Sequence, residues 1–167
     1  MGHKSIGLIG GPENSLASIN RHKGASSALN NKGFEAYGFC NGNYDQINGY
    51  ESVMRWHQEH ELPTAIFAFD DNIAVGAINA LKDLGLKVPE DISVCGFDDS
   101  DIADQYVPRL TTVHQPTHGM ARETVSQLFD TINGDANVTN AMFIKTRIVL
   151  RDSVIYLNQD AKGEALC

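Results

Sequence analysis

Cysteine is scarce in this chain of 167 residues: Cys40, Cys95 and Cys167 stand far apart and form no CxxC pair. That spacing favours neither a zinc site nor a disulfide framework, and the three read as small buried or terminal thiols. Basic charge is thin as well. Lys plus Arg number 13 against 21 Asp plus Glu, a formal net charge of −8, and the basic residues are spread singly. A surface that grips duplex DNA needs a dense cationic stripe to release counterions from phosphate, so these residues alone should bind DNA poorly. No apolar run approaches the roughly 18 residues of a membrane span, and the amino end lacks the charged-then-apolar pattern of a secretory signal. The expectation is a cytoplasmic protein with no membrane partner.

Two chemical signatures are also missing. Gly7-Leu8-Ile9-Gly10-Gly11 does not complete the G-x-G-x-x-G of a dinucleotide site. His57, His60, His114 and His118 have no serine or cysteine beside them in a recognisable nucleophile motif, so they read as surface or packing residues. No enzyme and no cofactor are expected.

What is present has the composition of an ordinary globular protein, 42% hydrophobic and 20% charged residues, with enough length for one domain or for one lobe plus part of another. Strand and helix signals alternate four times. Apolar residues 6–9 stop at Gly10-Gly11-Pro12, and residues 15–29 then read as a helix ending at Asn31-Lys32-Gly33. Residues 34–40 read as a second strand, and Ile47, Tyr50, Val53 and Met54 give helical spacing up to about Glu59. A third strand over 65–69 leads into a helix with Ile73, Ala74, Ala77, Ile78, Leu81 and Leu84 on one face and Gly85 at its stop. Residues 92–97 form the fourth strand. This alternation predicts an α/β fold, a doubly wound parallel sheet with helices on both faces. Beyond it, a short helix over 101–107, an extended segment over 110–115, an amphipathic helix over 120–132 and a strand over 142–150 are expected.

The third and fourth strands end alike, in Asp70-Asp71 and Asp98-Asp99. Acids at the carboxyl ends of parallel strands border the crevice where such sheets take ligands, so both pairs should emerge on one rim. Asp71 is expected to cap the following helix and Asp70 to face a ligand.

The stretch from Pro63-Thr64-Ala65-Ile66 through Asp70-Asp71, Gly85-Leu86-Lys87-Val88-Pro89-Glu90-Asp91-Ile92-Ser93-Val94, Gly96-Phe97-Asp98-Asp99 and Leu110-Thr111-Thr112-Val113-His114-Gln115-Pro116 resembles the effector-binding core of the lactose/galactose repressor family of bacterial transcription regulators. His3-Lys4-Ser5-Ile6-Gly7, Arg21-His22-Lys23-Gly24 and Arg151-Asp152-Ser153 fit the same family in the same order. The resemblance implies a periplasmic-binding-protein-like fold of type I. Residues 3–109 would form the carboxy-terminal lobe, 110–154 interlobe crossovers and part of the second lobe, and 155–167 a disordered polar tail. It also implies a homodimeric sensor whose hold on operator DNA, through a helix-turn-helix headpiece outside these residues, changes when a small effector enters the cleft.

By the same resemblance Arg21 and Asp98 stand at ligand-contact positions, Tyr44 where an aromatic packs against the ligand, Gln115 in the crossover, and Ser15 with Ala17 on a loop of variable contacts. The chemistry suits a polyol: a carboxylate accepts from two hydroxyls and an arginine fork donates to two oxygens. The small residues at Ser15 and Ala17 lack the second basic group expected of a purine-binding member, which favours a sugar. With one jaw only, the isolated chain should bind sugar weakly or not at all, and the apolar faces of residues 120–150 should promote self-association. Two other functions compete with this one: a sugar-binding transport-type protein, and a Mg²⁺-dependent phosphoryl-transfer enzyme or receiver built on Asp70, Asp71, Asp98 and Asp99.

Overall fold

Strand β1 (Ile6–Gly10) lies at the centre of a four-stranded sheet and leads into helix α1 (Leu16–Asn30). The computed structural model describes residues 2–59, 61–134 and 142–157. Strand β2 (Gly38–Asn41), helix α2 (Gln46–Glu59), strand β3 (Ala65–Ala68), helix α3 (Asp71–Asp83) and strand β4 (Ser93–Cys95) complete the alternation. The strand order is β2-β1-β3-β4 and every pairing is parallel. The chain winds outward from β1 in one direction and then in the other, so right-handed crossovers put α1 on one face and α2 with α3 on the opposite one. The expected doubly wound lobe is present.

Helix α3 carries the main core. Ile73, Ala74, Ala77 and Leu81 are fully buried and Ile78 nearly so, at the three- and four-residue spacing of one helical stripe. Burying a side chain such as Leu81 stabilises by roughly 1.5–3 kcal/mol. Gly85 follows the helix at φ +77, the left-handed turn in which glycine carries no Cβ penalty. Helices α2 and α3 approach each other through glycine: a Cβ on Gly49 would sit 2.0 Å from Ile73 O, and one on Gly76 2.0 Å from Gln46 O.

Past β4 the chain forms helix α4 (Asp101–Gln105), strand β5 (Thr112–His114), helix α5 (Thr117–Ile132) and strand β6 (Arg147–Val149), with β5 and β6 antiparallel. Isolated parallel bridges, Cys95 with Thr111 and Asp98 with His114, join β5 to the edge beyond β4. The returning segment is fastened there as well: Val94 N donates to Ser153 O at 2.8 Å, and the buried Ser153 hydroxyl donates to Val94 O at 2.6 Å.

Two strands fall well short of their sequence signals, and the tail departs from its own. Residues 34–37 do not join β2, because Phe34 N closes the end of α1 on Leu29 O. The strand expected over 142–150 contracts to Arg147–Val149, since β5 offers only three residues to pair with. The tail expected to fray from residue 155 is held at Ile155, whose N–H donates to Ser93 Oγ and whose carbonyl accepts from His3 Nε2. Residues 158–167 of that tail lie outside the described residues.

Candidate functional site

In a sheet of this order the winding reverses between β1 and β3, and the carboxyl ends of those strands open the ligand crevice. Gly10-Gly11 leaves β1 there and Asp70 follows β3. Arg21, one turn into α1, reaches across: Nη1 donates to Phe69 O, Nη2 donates to Asp98 Oδ1 at 2.9 Å, and the guanidinium lies 3.9 Å from the centroid of the Phe97 ring. Gln115 Nε2, from just past β5, donates to the same Asp98 oxygen. Arg21 and Asp98 are largely shielded, their side chains 15% and 29% exposed. Four segments distant in sequence therefore meet on one rim.

Ser15 and Tyr44 occupy the neighbouring part of the edge. Ser15 is the N-cap of α1 and its hydroxyl lies 2.8 Å from Tyr44 Oη. The Tyr44 ring covers the β1 exit so closely that a Cβ on Gly11 would come within 2.3 Å of it, so the loop requires glycine. Ser15, Arg21, Tyr44, Asp70, Asp98 and Gln115 all sit at the carboxyl end of the sheet or on the segments leaving it.

The backbone at Asp98 and Asp99 has φ +109 and +57. Both values lie where L-residues are uncommon, and such positions cost on the order of 1–3 kcal/mol each unless their surroundings fix them. Here Asp98 N donates to Val113 O at 3.0 Å, and the side chains turn to opposite partners. Asp98 faces Arg21 and Gln115, whereas Asp99 accepts from Arg151 Nη2 at 2.7 Å and from His114 Nδ1 at 2.8 Å. Burial acts to raise the Asp99 carboxyl, but the bonds and charges of Arg151 and His114 together hold it below its ordinary value. His114, read from sequence as a surface or packing residue, is instead a hydrogen-bond partner of Asp99.

The two acids after β3 also divide, and the capping role falls differently from expectation. The cap falls on Asp70, which accepts from Asn72 N at 2.7 Å, while Asp71 is fully buried. Asp71 accepts from Thr112 Oγ1 at 2.6 Å and from the Ser100 N–H and hydroxyl at 2.8 and 2.9 Å, tying α3 to β5 and to the start of α4. Helix geometry explains the difference: the acid at the extended position reaches the free N–H groups, and the next residue turns into the fold. Burial raises both carboxyls. At Asp70 the neighbouring Asp98 carboxylate adds to the rise, against the Asn72 hydrogen bond, and at Asp71 the Thr112 and Ser100 bonds oppose it.

With Asp71 turned inward and Asp99 held by Arg151, the four acids do not converge on one cation. Among the described residues no group of three or more His, Cys, Asp or Glu is placed to hold a metal. The phosphoryl-transfer alternative loses its site. Sequence reasoning did not find Phe97 beneath Arg21, the Phe69 carbonyl, or the Asp99 partners. The alternate spacing of Phe67 with Phe69 and of Cys95 with Phe97 was a usable signal, since alternate residues along an extended chain share a sheet face and Phe67 pairs with Cys95.

At the switch point of this doubly wound lobe, a shielded arginine, two carboxylates and an amide share one edge of the sheet. Residues 1–154 match the periplasmic binding protein-like domain family. The chain belongs to that family, in the form that lactose/galactose-type repressors use as their effector-binding domain. It is 34% identical over 155 residues to the HTH-type transcriptional repressor PurR of Pasteurella multocida, covering 92% of this chain and 46% of that protein. Among solved structures it resembles the lac repressor dimer bound to operator and the anti-inducer ONPF, with a TM-score of 0.89 and 29% identity over 93% of this chain and 54% of that one. It is also similar to a sugar-binding transcriptional regulator of the LacI family from Escherichia coli complexed with phosphate, with a TM-score of 0.85 and 32% identity over 92% and 56%. The chain spans about half the length of the curated relatives it matches. These relatives are repressors rather than enzymes. No helix among the described residues is long and apolar enough to cross a membrane.

Proposed function

We propose that this chain forms one jaw of the effector site of a homodimeric bacterial transcription repressor, and that the effector is a small, hydroxyl-rich molecule, a sugar rather than a purine. The observation that carries this reading is the Arg21 guanidinium fixed between Asp98, the Phe69 carbonyl and the Phe97 ring, beside the Asp70 carboxylate. Donor and acceptor groups held at fixed angles on a rim suit hydroxyls that both give and accept hydrogen bonds. The Ser15 and Tyr44 hydroxyls extend that surface without adding a cation. A purine is the second reading, favoured by the PurR names of the relatives. In the assembled protein the ligand would bridge two lobes, favour one closure angle and so alter the spacing of paired DNA-binding headpieces.

The test is an amide-resolved NMR titration of the chain with a panel of neutral aldoses and, separately, with purine bases. The expected result is weak, fast-exchange binding of at least one aldose, with shifts confined to residues around Ser15, Asp70, Asp98 and Gln115 and abolished by Arg21→Ala. Shifts from purines alone would replace the sugar reading with the purine one. An aldose panel and purine set that both leave this rim unmoved would end the effector-site reading.

A further inference from the structure

Among the described residues the rim carries more acceptor charge than donor charge, and the arginine that faces the crevice, Arg21, is already engaged. Both terminal nitrogens of Arg21 donate to protein acceptors, Phe69 O and Asp98 Oδ1, and its face rests on Phe97. Its positive charge is balanced before any ligand arrives. The N-terminus of α3 opens on the same edge, and the free N–H groups of a helix start ordinarily favour an anion. Here Asp70 fills that place with its own carboxylate, accepting from Asn72 N at 2.7 Å. The start of α1 is closed by the Ser15 hydroxyl, which accepts from Ser18 N and pairs with Tyr44. Arg151, the next cation along the rim, is bound to Asp99, Asp104 and Leu110 O. Asp70 and Asp98 both present carboxylates on this edge, and a further anion would meet their negative charge.

We propose that this jaw selects uncharged, donor-rich ligands and rejects phosphorylated or otherwise anionic ones, and that Asp70 is the residue that enforces the choice. This rests on the effector-site reading and narrows it to a ligand class. A sugar or polyol presents hydroxyl protons to the free carboxylate oxygens, whereas a sugar phosphate would set a dianion against them. Discrimination of this kind comes from the repulsive element, not from a gain in attraction.

Inorganic phosphate is the direct probe, because it reports charge acceptance without requiring the right sugar. In NMR titrations at neutral pH, phosphate should leave the amides around Asp70 and Asp98 of the unmodified chain unmoved. Asp70→Asn, which keeps a capping oxygen and removes the charge, should bring phosphate onto those amides with a half-saturating concentration lowered by about tenfold or more. Asp70→Ser provides a second neutral cap, and far-UV circular dichroism with a melting curve checks that each variant is folded. Equal phosphate response in the unmodified and variant chains, or none in either folded variant, overturns the proposal. An aldose panel in parallel keeps the two ideas apart. Aldose binding alongside failed phosphate discrimination removes only the charge filter, whereas a rim silent to every aldose removes the effector reading on which the filter depends.

Discussion

Asp98 and Asp99 are adjacent in the chain and serve different ends, because positive φ at both sends one side chain toward the crevice and the other toward β6. Asp99 therefore has a stability role that is visible in acid. Its carboxyl is held below the ordinary carboxylate value, so the stabilisation is complete above the unfolded-state pKa and is lost as pH falls through the lower folded value. Urea midpoints measured from neutral pH down to about 3 should show an acid-side loss that shrinks in Asp99→Asn. Asp71 acts with the opposite sign, since burial raises it: protonation relieves the desolvation cost, and this group favours the fold more as pH drops toward its ordinary value. Asp71→Ala should nonetheless cost about 3 kcal/mol at neutral pH, because Thr112 and the two Ser100 donors lose their acceptor. A third residue-scale prediction concerns Cys95, whose thiol is pushed up to about 12 by burial and by the nearby Asp71 charge. At neutral pH it should react with a maleimide only after denaturant opens the fold.

At the scale of the element, α3 and α5 have similar amphipathic patterns and opposite fates. Helix α3 buries its stripe against the sheet and α2, while α5 buries no residue at all. Gly76→Ala should therefore lower stability by about 2 kcal/mol or more, since the new methyl would meet Gln46 O and force α2 away from α3. Phe129→Glu on α5 should stay within about 0.5 kcal/mol, because that ring is 60% exposed. Thermal melts of the two variants side by side would decide. The strand and helix order, the stop at Gly85 and the buried face of α3 were legible in the sequence because each follows from local periodicity and turn chemistry. The short strands were not: β2 loses residues to the α1 exit, and β6 is only as long as the strand it meets.

At the scale of the whole molecule, the described residues form a four-stranded parallel lobe and leave an apolar surface exposed beyond it. Val125, Leu128, Phe129 and Ile132 on α5 are all more than half exposed, and so are Met142, Phe143, Ile148 and Leu150. Apolar groups grouped on one segment favour association in water. Light scattering should show average mass rising with concentration, and Phe129→Glu should reduce that rise. A constant monomer mass at high concentration would refute it.

The residue types of the rim were readable before any fold was known, since acids after buried strands and an arginine early in a helix follow from pattern and family resemblance. Which acid caps α3 was not readable. Asp70 and Asp71 are chemically identical and one position apart, and the cap geometry of α3 alone sends the first outward and the second into the core. The same holds for Asp98 and Asp99, whose partners Arg21, Gln115, His114 and Arg151 come from elements far apart in the chain. Local sequence determines periodicity, caps and turns because those depend on near neighbours. Only packing brings Arg21 to Asp98 across 77 positions, and only that contact decides what the crevice can hold.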